Sequence, residues 1–216
     1  MARQEGHTDI VKLLLEKNPN VDLCDKDGCS RLYHANHQGH TDIVKLLLEK
    51  NLNVDLCDED GCSPLFWASY KGQTNIVKLL LEKNPNVDLC NKDGCSPLFW
   101  TSYKAQTDIG KLLLEKNLNV DLCDEDGCSP LFWASYKGQT NIVKLLLEKN
   151  PNVDLCNKDG CSPLFWTSYK AQTDIGKLLL EKVLINDGCS PLYMASQEGN
   201  TDIVKLLFEK NPNVDQ

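Results

Sequence analysis

Along residues 74–83, "TNIVKLLLEK", the apolar side chains of Ile76, Val77, Leu79, Leu80 and Leu81 cover most of a helical circumference and leave Lys78, Glu82 and Lys83 as a narrow polar stripe. This spacing predicts a helix that needs apolar partners on more than one side. It has only about two or three turns, too few to hold alone in water. Just upstream, "SPLFWASYK" (63–71) predicts another short helix, because the Ser63 oxygen is placed to cap free amides and Pro64 takes the first helical position. Gly72 supplies the left-handed residue that ends this first helix, Thr74 is placed to cap the second, and Asn84 closes the second in the same left-handed role.

The pattern returns along the whole chain. Gly28, Gly61, Gly94, Gly127 and Gly160 stand 33 residues apart, and Gly188 follows after only 28. Residues 51–116 recur without a change at 117–182, the mark of a tandem duplication. A unit that cannot bury its own apolar helix, repeated at fixed spacing, buries it by stacking, which predicts an all-α repeat solenoid of helix-turn-helix units. Between units, "DEDG" (58–61) lies between "VDLC" and "CS"; its Asp-first, Gly-last order suits a type I turn in a short β-hairpin.

The 33-residue length, the turn followed by two helices, and the string "DGCSPLFWAS…G…IVKLLLEKN" resemble the ankyrin repeat, whose usual sequence carries Gly, Thr-Pro-Leu-His and Ala at these places. The resemblance extends over residues 1–216 and implies a single ankyrin-repeat domain. Its expected parts are a truncated leading repeat (1–24) and repeats at 25–57, 58–90, 91–123, 124–156, 157–184 and 185–216. Ser replaces the family's Thr, and Tyr33, Phe66, Phe99, Phe132, Phe165 and Tyr193 replace its His, so ring packing is expected where that pair would hydrogen-bond.

Some positions break the pattern. Ala105 and Ala171 occupy the place of the helix-ending glycine, where a left-handed side chain costs on the order of 1 kcal/mol. Gly110 and Gly176, in the same units, replace a mid-helix valine, lowering helix propensity and leaving apolar surface unfilled. These two units are expected to be the softest of the array. Near residues 183–188, "EKVLINDGCS" lacks five residues present in "EKNPNVDLCNKDGCS", which predicts a kink or a blunted hairpin. The chain opens part-way through a first helix, Ala2 aligning with Ala35, and its last helix, "IVKLLFEK", is as apolar as the internal ones. Terminal units normally carry a polar outer face, so a fragment of a longer array is expected.

Composition narrows the function. The formal charge of −8, with 23 basic residues interleaved among 31 acidic ones, argues against a nucleic-acid surface, which needs clustered Lys and Arg. The opening "MARQEGHTDI" has no unbroken apolar core of the kind a secretory signal needs, so a reducing, cytoplasmic compartment is expected. No run approaches the roughly 18 apolar residues of a membrane span.

The eleven cysteines raise the question of chemistry. They fall in pairs, Cys24/Cys29, Cys57/Cys62, Cys90/Cys95, Cys123/Cys128 and Cys156/Cys161, with Cys189 alone. Each pair brackets a turn, at a separation a disulfide could span, but the compartment favours thiols packed as small apolar residues. One hairpin supplies two ligands where zinc wants four, and no zinc site is expected. His34, His37 and His40 stand in register with Trp67, Tyr70 and Gln73 and read as substituted repeat positions. A calcium loop would need a Glu six residues beyond the turn Gly, where Trp133 follows Gly127. Every Ser, Asp and Glu of interest recurs at a cap or turn, leaving no set for catalysis and no cofactor to expect.

What remains is a surface. In ankyrin proteins partners lie against the hairpin tips and the exposed side of the first helix, and the resemblance maps these onto Tyr70-Lys71, Tyr103-Lys104, Tyr136-Lys137 and Tyr169-Lys170, with tips at Glu59, Lys92, Glu125 and Lys158. Aromatic rings beside cations make plausible anchors. Trp67, Trp100, Trp133 and Trp166 are assigned to packing between units. The reading is a protein-protein interaction scaffold, monomeric or part of a longer array. Its alternatives are a spacer or targeting segment of a larger protein, and a thiol redox or metal-binding module.

Overall fold

The computed structural model describes residues 2–17, 19–50, 52–182 and 190–210. The expected break near 183–188 and Cys189 lie outside the described residues. Thirteen helices are found among the described residues, and the chain divides into two compact units, Met1–Trp100 and Thr101–Gln216. The first unit contains α1 (Ala2–Leu15), then the pairs α2 (Arg31–His37) with α3 (Thr41–Leu48) and α4 (Pro64–Lys71) with α5 (Thr74–Leu81). The division falls inside α6 (Pro97–Lys104). The second unit contains α7 (Thr107–Leu114) and the pairs α8 (Pro130–Tyr136) with α9 (Thr140–Leu147), α10 (Pro163–Tyr169) with α11 (Thr173–Leu180), and α12 (Pro191–Gln197) with α13 (Thr201–Lys210).

The helix starts follow from the Ser-Pro pair. The Ser63 oxygen accepts the Phe66 amide at 3.1 Å, and Ser129 and Ser162 serve Phe132 and Phe165 in the same way. At the end of α4, Gly72 turns left-handed (φ 71°), and the Gln73 amide reaches back to the Ala68 carbonyl at 2.9 Å. This bond is kept where alanine stands: Ala105 and Ala171 adopt φ 59° and 53°, and the Gln106 and Gln172 amides reach Thr101 and Thr167. Asn84 and Asn150 are left-handed as well, at φ 51° and 52°.

Thr74 does not cap α5. Gln73 holds the cap position without a side-chain bond, and Thr74 is already the first helical residue. The two-residue connection Gly72-Gln73 is so tight that no residue with a free hydroxyl is left outside the helix. The turns between pairs also differ in part from expectation. Gly61 (φ 79°) donates to the Asp58 carbonyl at 3.0 Å and Asp58 donates back to Cys62 at 3.2 Å, as a type I turn closed by a left-handed glycine requires. The arms beyond it pair so little that one isolated bridge, Cys24 to Ser30, is the extent of β-structure among the described residues.

Packing is repetitive within each unit. First helices lie beside first helices (α2 on α4; α8 on α10; α10 on α12), and second helices beside second helices (α1 on α3, α3 on α5; α7 on α9, α9 on α11, α11 on α13). The largest fully buried side chains come from three repeat positions: Leu65, Leu131 and Leu164 of first helices, and, in second helices, Ile76, Ile109, Ile142, Ile175 and Ile203 and then Leu80, Leu113, Leu146 and Leu179.

The junctions have a direction. A Cβ built on Gly110 of α7 would meet Ile142 Cδ1 of α9 at 3.1 Å, and one on Gly176 of α11 would meet Ile203 Cδ1 of α13 at 3.7 Å. The isoleucine of a second helix thus turns toward the preceding second helix, and the next position along, Val143 in α9, turns toward the following one. Gly110 is therefore not the hole that its lost side chain suggested. Ile142 on one side and Thr101 Oγ1, 4.0 Å away, on the other take up the space.

Candidate functional site

The first helices carry rings that touch one another, most of them edge-on. In the first unit Tyr70 sits between Trp67 and Trp100, with centroids 5.6 and 4.7 Å away, and Trp67 in turn meets Tyr33 and His37. In the second unit Tyr136 sits between Trp133 and Trp166 at 5.5 and 5.0 Å, Tyr103 lies 5.3 Å from Trp133, and Tyr169 lies 5.5 Å from Trp166. Such edge-to-face pairs add to the gain from burial. Each tryptophan thus packs between neighbouring helices, in line with the structural role assigned to it, while the tyrosines form the outer part of the row. Tyr70, Tyr103 and Tyr136 are half-buried, and Tyr169 is exposed.

The cations beside these rings are exposed: Lys71 in the first unit; Lys104, Lys137 and Lys170 in the second. Two of them lean back over the preceding tyrosine. The Lys137 ammonium stands 4.1 Å from the Tyr103 centroid, and that of Lys170 stands 3.6 Å from Tyr136. The quadrupole of the ring attracts the charge and holds a long, flexible side chain in place. At the turn tips Glu59 and Lys92 of the first unit and Glu125 and Lys158 of the second are all exposed. The tips are tied to one another through the backbone, the Lys92 amide donating to Asp60 at 2.9 Å and that of Lys158 to Asp126 at 2.8 Å.

One polar device was not anticipated from the sequence. The Trp67 indole Nε1 donates to Asp58 Oδ2 at 2.8 Å, and Trp133 Nε1 donates to Asp124 Oδ2 at 2.9 Å. The other carboxylate oxygen of each Asp accepts turn amides: Asp58 Oδ1 accepts from the Asp60 and Cys62 amides, and Asp124 Oδ1 from those of Asp126 and Cys128. A carboxylate has two acceptor oxygens and can serve both tasks. Asn157 replaces the Asp in the next turn; its single oxygen accepts the Asp159 and Cys161 amides, and the Trp166 Nε1 is buried without a hydrogen-bond partner. The signal lay in the sequence as an Asp nine residues before a Trp. In the first turn His34 takes the tryptophan's place and lies 2.8 Å from Asp25 Oδ2. The Asp25 carboxyl is held below its usual range by the Cys29 amide first and His34 second.

The ten cysteines among the described residues are all thiols. The second member of four pairs, Cys62, Cys95, Cys128 and Cys161, is buried. Burial first, and the Asp58 and Asp60 carboxylates next, push the Cys62 thiol up to about 12; Cys128 is raised equally by burial, Asp124 and Asp126. A raised thiol is protonated at neutral pH, whereas the thiolate is the nucleophile and the metal ligand. Among the described residues no group of three or more His, Cys, Asp or Glu side chains stands together to hold a metal ion. No helix among them is long and apolar enough to cross a membrane.

Clefts recur where second helices begin. One of about 350 Å³ in the first unit is lined by Gly39, Gln73 and Thr74, and others of about 300 and 320 Å³ in the second unit by Gln139 and Thr140 and by Gln172 and Thr173. They share one register and belong to the repeat rather than to a single ligand site.

Within each unit, paired helices stacked in register, with rings and cations on the first helices, define a helical repeat protein. The comparisons give the family. The model for ankyrin repeats (3 copies) matches residues 1–93, 83–155 and 149–216, and the chain belongs to the ankyrin repeat family. Among solved structures it is similar to the crystal structure of EF0377, an ankyrin repeat protein, with 28% identity and a TM-score of 0.79, over 87% of this chain and 100% of that one. In all, 517 solved chains match, so the likeness identifies a widely shared scaffold rather than one partner. No curated protein matches. Ankyrin repeats are generally protein-protein interaction modules and are typically non-enzymatic scaffolds.

Proposed function

We propose that this chain is a non-enzymatic scaffold that binds another protein through the ring-and-cation row of its first helices and through its turn tips. In the first unit the contact residues are Tyr70 and Lys71 with the tips Glu59 and Lys92. In the second they are Tyr103, Lys104, Tyr136, Lys137, Tyr169 and Lys170 with the tips Glu125 and Lys158. The observation that carries this reading is the posture of Lys137 and Lys170, held over the rings of Tyr103 and Tyr136 at 4.1 and 3.6 Å. Side chains already ordered lose less entropy on binding, which favours them as anchors. Because the ring-and-cation string recurs in the duplicated stretch, a partner has two equivalent places to bind. The chain is expected in the cytoplasm, whose reducing chemistry keeps thiols such as these reduced.

The test is capture of a partner by the intact chain, identified by mass spectrometry, and its loss in variants. Tyr70, Tyr103, Tyr136 and Tyr169 replaced together by Ala should abolish capture with the helical circular dichroism retained. Because those rings also pack on tryptophans, a second variant, Lys137→Glu with Lys170→Glu, reverses the charge and leaves the rings; it should weaken capture at least tenfold. Undiminished capture by both variants refutes the binding face and leaves the chain as a spacer.

A further inference from the structure

In the second unit the fold holds Lys137 and Lys170 as a pair. The Lys137 ammonium stands 4.1 Å from the Tyr103 centroid and 5.4 Å from that of Tyr136, and the Lys170 ammonium stands 3.6 Å from the same Tyr136 ring. The two charges are therefore no farther apart than 5.4 and 3.6 Å laid end to end. A ring attracts an ammonium through its quadrupole but does not neutralise it, and an ammonium keeps three N–H donors to satisfy. No carboxylate meets them: neither lysine has an ion-pair partner among the described residues, and Asp174, the nearest acid along the chain from Lys170, makes none. The surrounding stretches "SYKGQ" (135–139) and "SYKAQ" (168–172) contain no Asp or Glu. In α12, which packs on α10, Gln197 and Glu198 take the places of Tyr169 and Lys170, so the basic stretch ends there.

We propose that this pair receives two carboxylates of an extended acidic segment of a partner protein, carried at alternate residues of that segment. The proposal rests on the binding row described above and names the chemistry of what it binds. In an extended strand, side chains two residues apart lie on one side, separated by about 6.4–6.8 Å, within the span set by the Tyr136 ring. A short segment does not hold a helix in water, so the extended form is the one it reaches without support from the rest of the partner. Each carboxylate meets an ammonium already placed by a ring, and little side-chain freedom is lost on contact. The formal charge of −8 on the chain opposes an anion at long range. At physiological ionic strength charges farther away than about 8 Å are largely screened, and the two local cations decide the contact. Glu198 repels a third carboxylate, which limits the acidic stretch on the α12 side.

Rhodamine-labelled peptides, titrated with the full chain up to millimolar concentration and read by fluorescence anisotropy, test this. GSESESG carries two alternate glutamates, GSQSQSG carries glutamines in their place, and GSESSSSESG sets the glutamates too far apart for the pair. The first should bind, and each of the others should bind at least about fivefold more weakly, the scale of two exposed ion pairs. Lys137→Met with Lys170→Met keeps the apolar stems and removes both charges; it should weaken binding of GSESESG by a similar factor. By the register that places Lys170 over Tyr136, Glu198→Lys should set a third ammonium over Tyr169 and at least double the affinity of GSESESESG. All three substitutions are at exposed positions and should keep the wild-type circular dichroism. Equal binding of the glutamate and glutamine peptides, undiminished binding by the methionine variant, or no binding of GSESESG overturns the proposal. If it fails while Lys137→Glu with Lys170→Glu still loses a captured partner, the row stands and that partner is not acidic at this pair. Capture undiminished by that variant and by the tyrosine variant removes the row itself.

Discussion

The pairs α8–α9 and α10–α11 follow the same backbone path with different chemistry at a few positions. Asp124, Ala134, Gly138 and Val143 in the first are matched by Asn157, Thr167, Ala171 and Gly176 in the second. Two of these changes compensate. Thr167 is larger than Ala134 and Gly176 smaller than Val143, and Thr167 Oγ1 stands 3.9 Å from where a Cβ on Gly176 would be, so bulk has moved from second helix to first. The other two do not compensate. Asn157 leaves the Trp166 indole without an acceptor, and Ala171 holds a left-handed backbone that Gly138 adopts without a steric cost. The difference separates variation that packing absorbs from variation that it cannot.

The largest effect expected from breaking this contrast is at the indole bond. Asp124→Asn should strand the half-buried Trp133 Nε1 and cost about 1–3 kcal/mol of local stability, read by hydrogen exchange of α8 amides. The reverse change, Asn157→Asp, should supply Trp166 with its acceptor and recover about 0.5–1.5 kcal/mol in α10. No change in either would show that water satisfies the indole. Next in size, Ala171→Gly should relieve the left-handed side chain and slow exchange around Gln172 by about 1 kcal/mol. If α10–α11 then matches α8–α9 in protection, the strain accounts for its softness; if the two pairs are equally protected from the start, the expected softness is wrong.

The smallest effect separates two glycines that have the same sequence around them. Gly176→Ala gains helix propensity of up to about 1 kcal/mol and brings its Cβ to an ordinary 3.7 Å from Ile203. Gly110→Ala gains the same propensity but meets Ile142 Cδ1 at 3.1 Å, so its net gain should be smaller or reversed. Denaturation followed by helical signal, comparing the two variants, reads the difference.

Much of this was legible in the chain. Ser63 and Pro64, the left-handed positions at Gly72 and Ala171, and the stacking demanded by Ile76 and Leu80 are local or periodic signals, and the backbone obeys them. Where the reading went astray, the deciding atom came from elsewhere. Thr74 missed its cap because the preceding helix ends only two residues earlier. Gly110 looked like a void because Ile142, which fills the space, lies 32 residues on. The bond from Trp67 to Asp58 crosses the turn from helix to loop, and depends on a second carboxylate oxygen that no hydrophobic pattern records. The proposed binding row was legible only through the family resemblance and the recurrence of Tyr beside Lys; the posture of Lys170 over Tyr136 is a product of the fold.

The isoleucine-to-valine seam between second helices has a consequence for how such a chain changes its length. Two identical stretches, 51–116 and 117–182, invite misaligned recombination of the gene, which would remove or add 66 residues in frame. The new boundary would join Lys50 to Asn117, the same pair of residue types that already meet at Lys116 and Asn117. Each 66-residue stretch carries the same seam residues in the same order, so longer and shorter alleles would inherit a fold without having to evolve one.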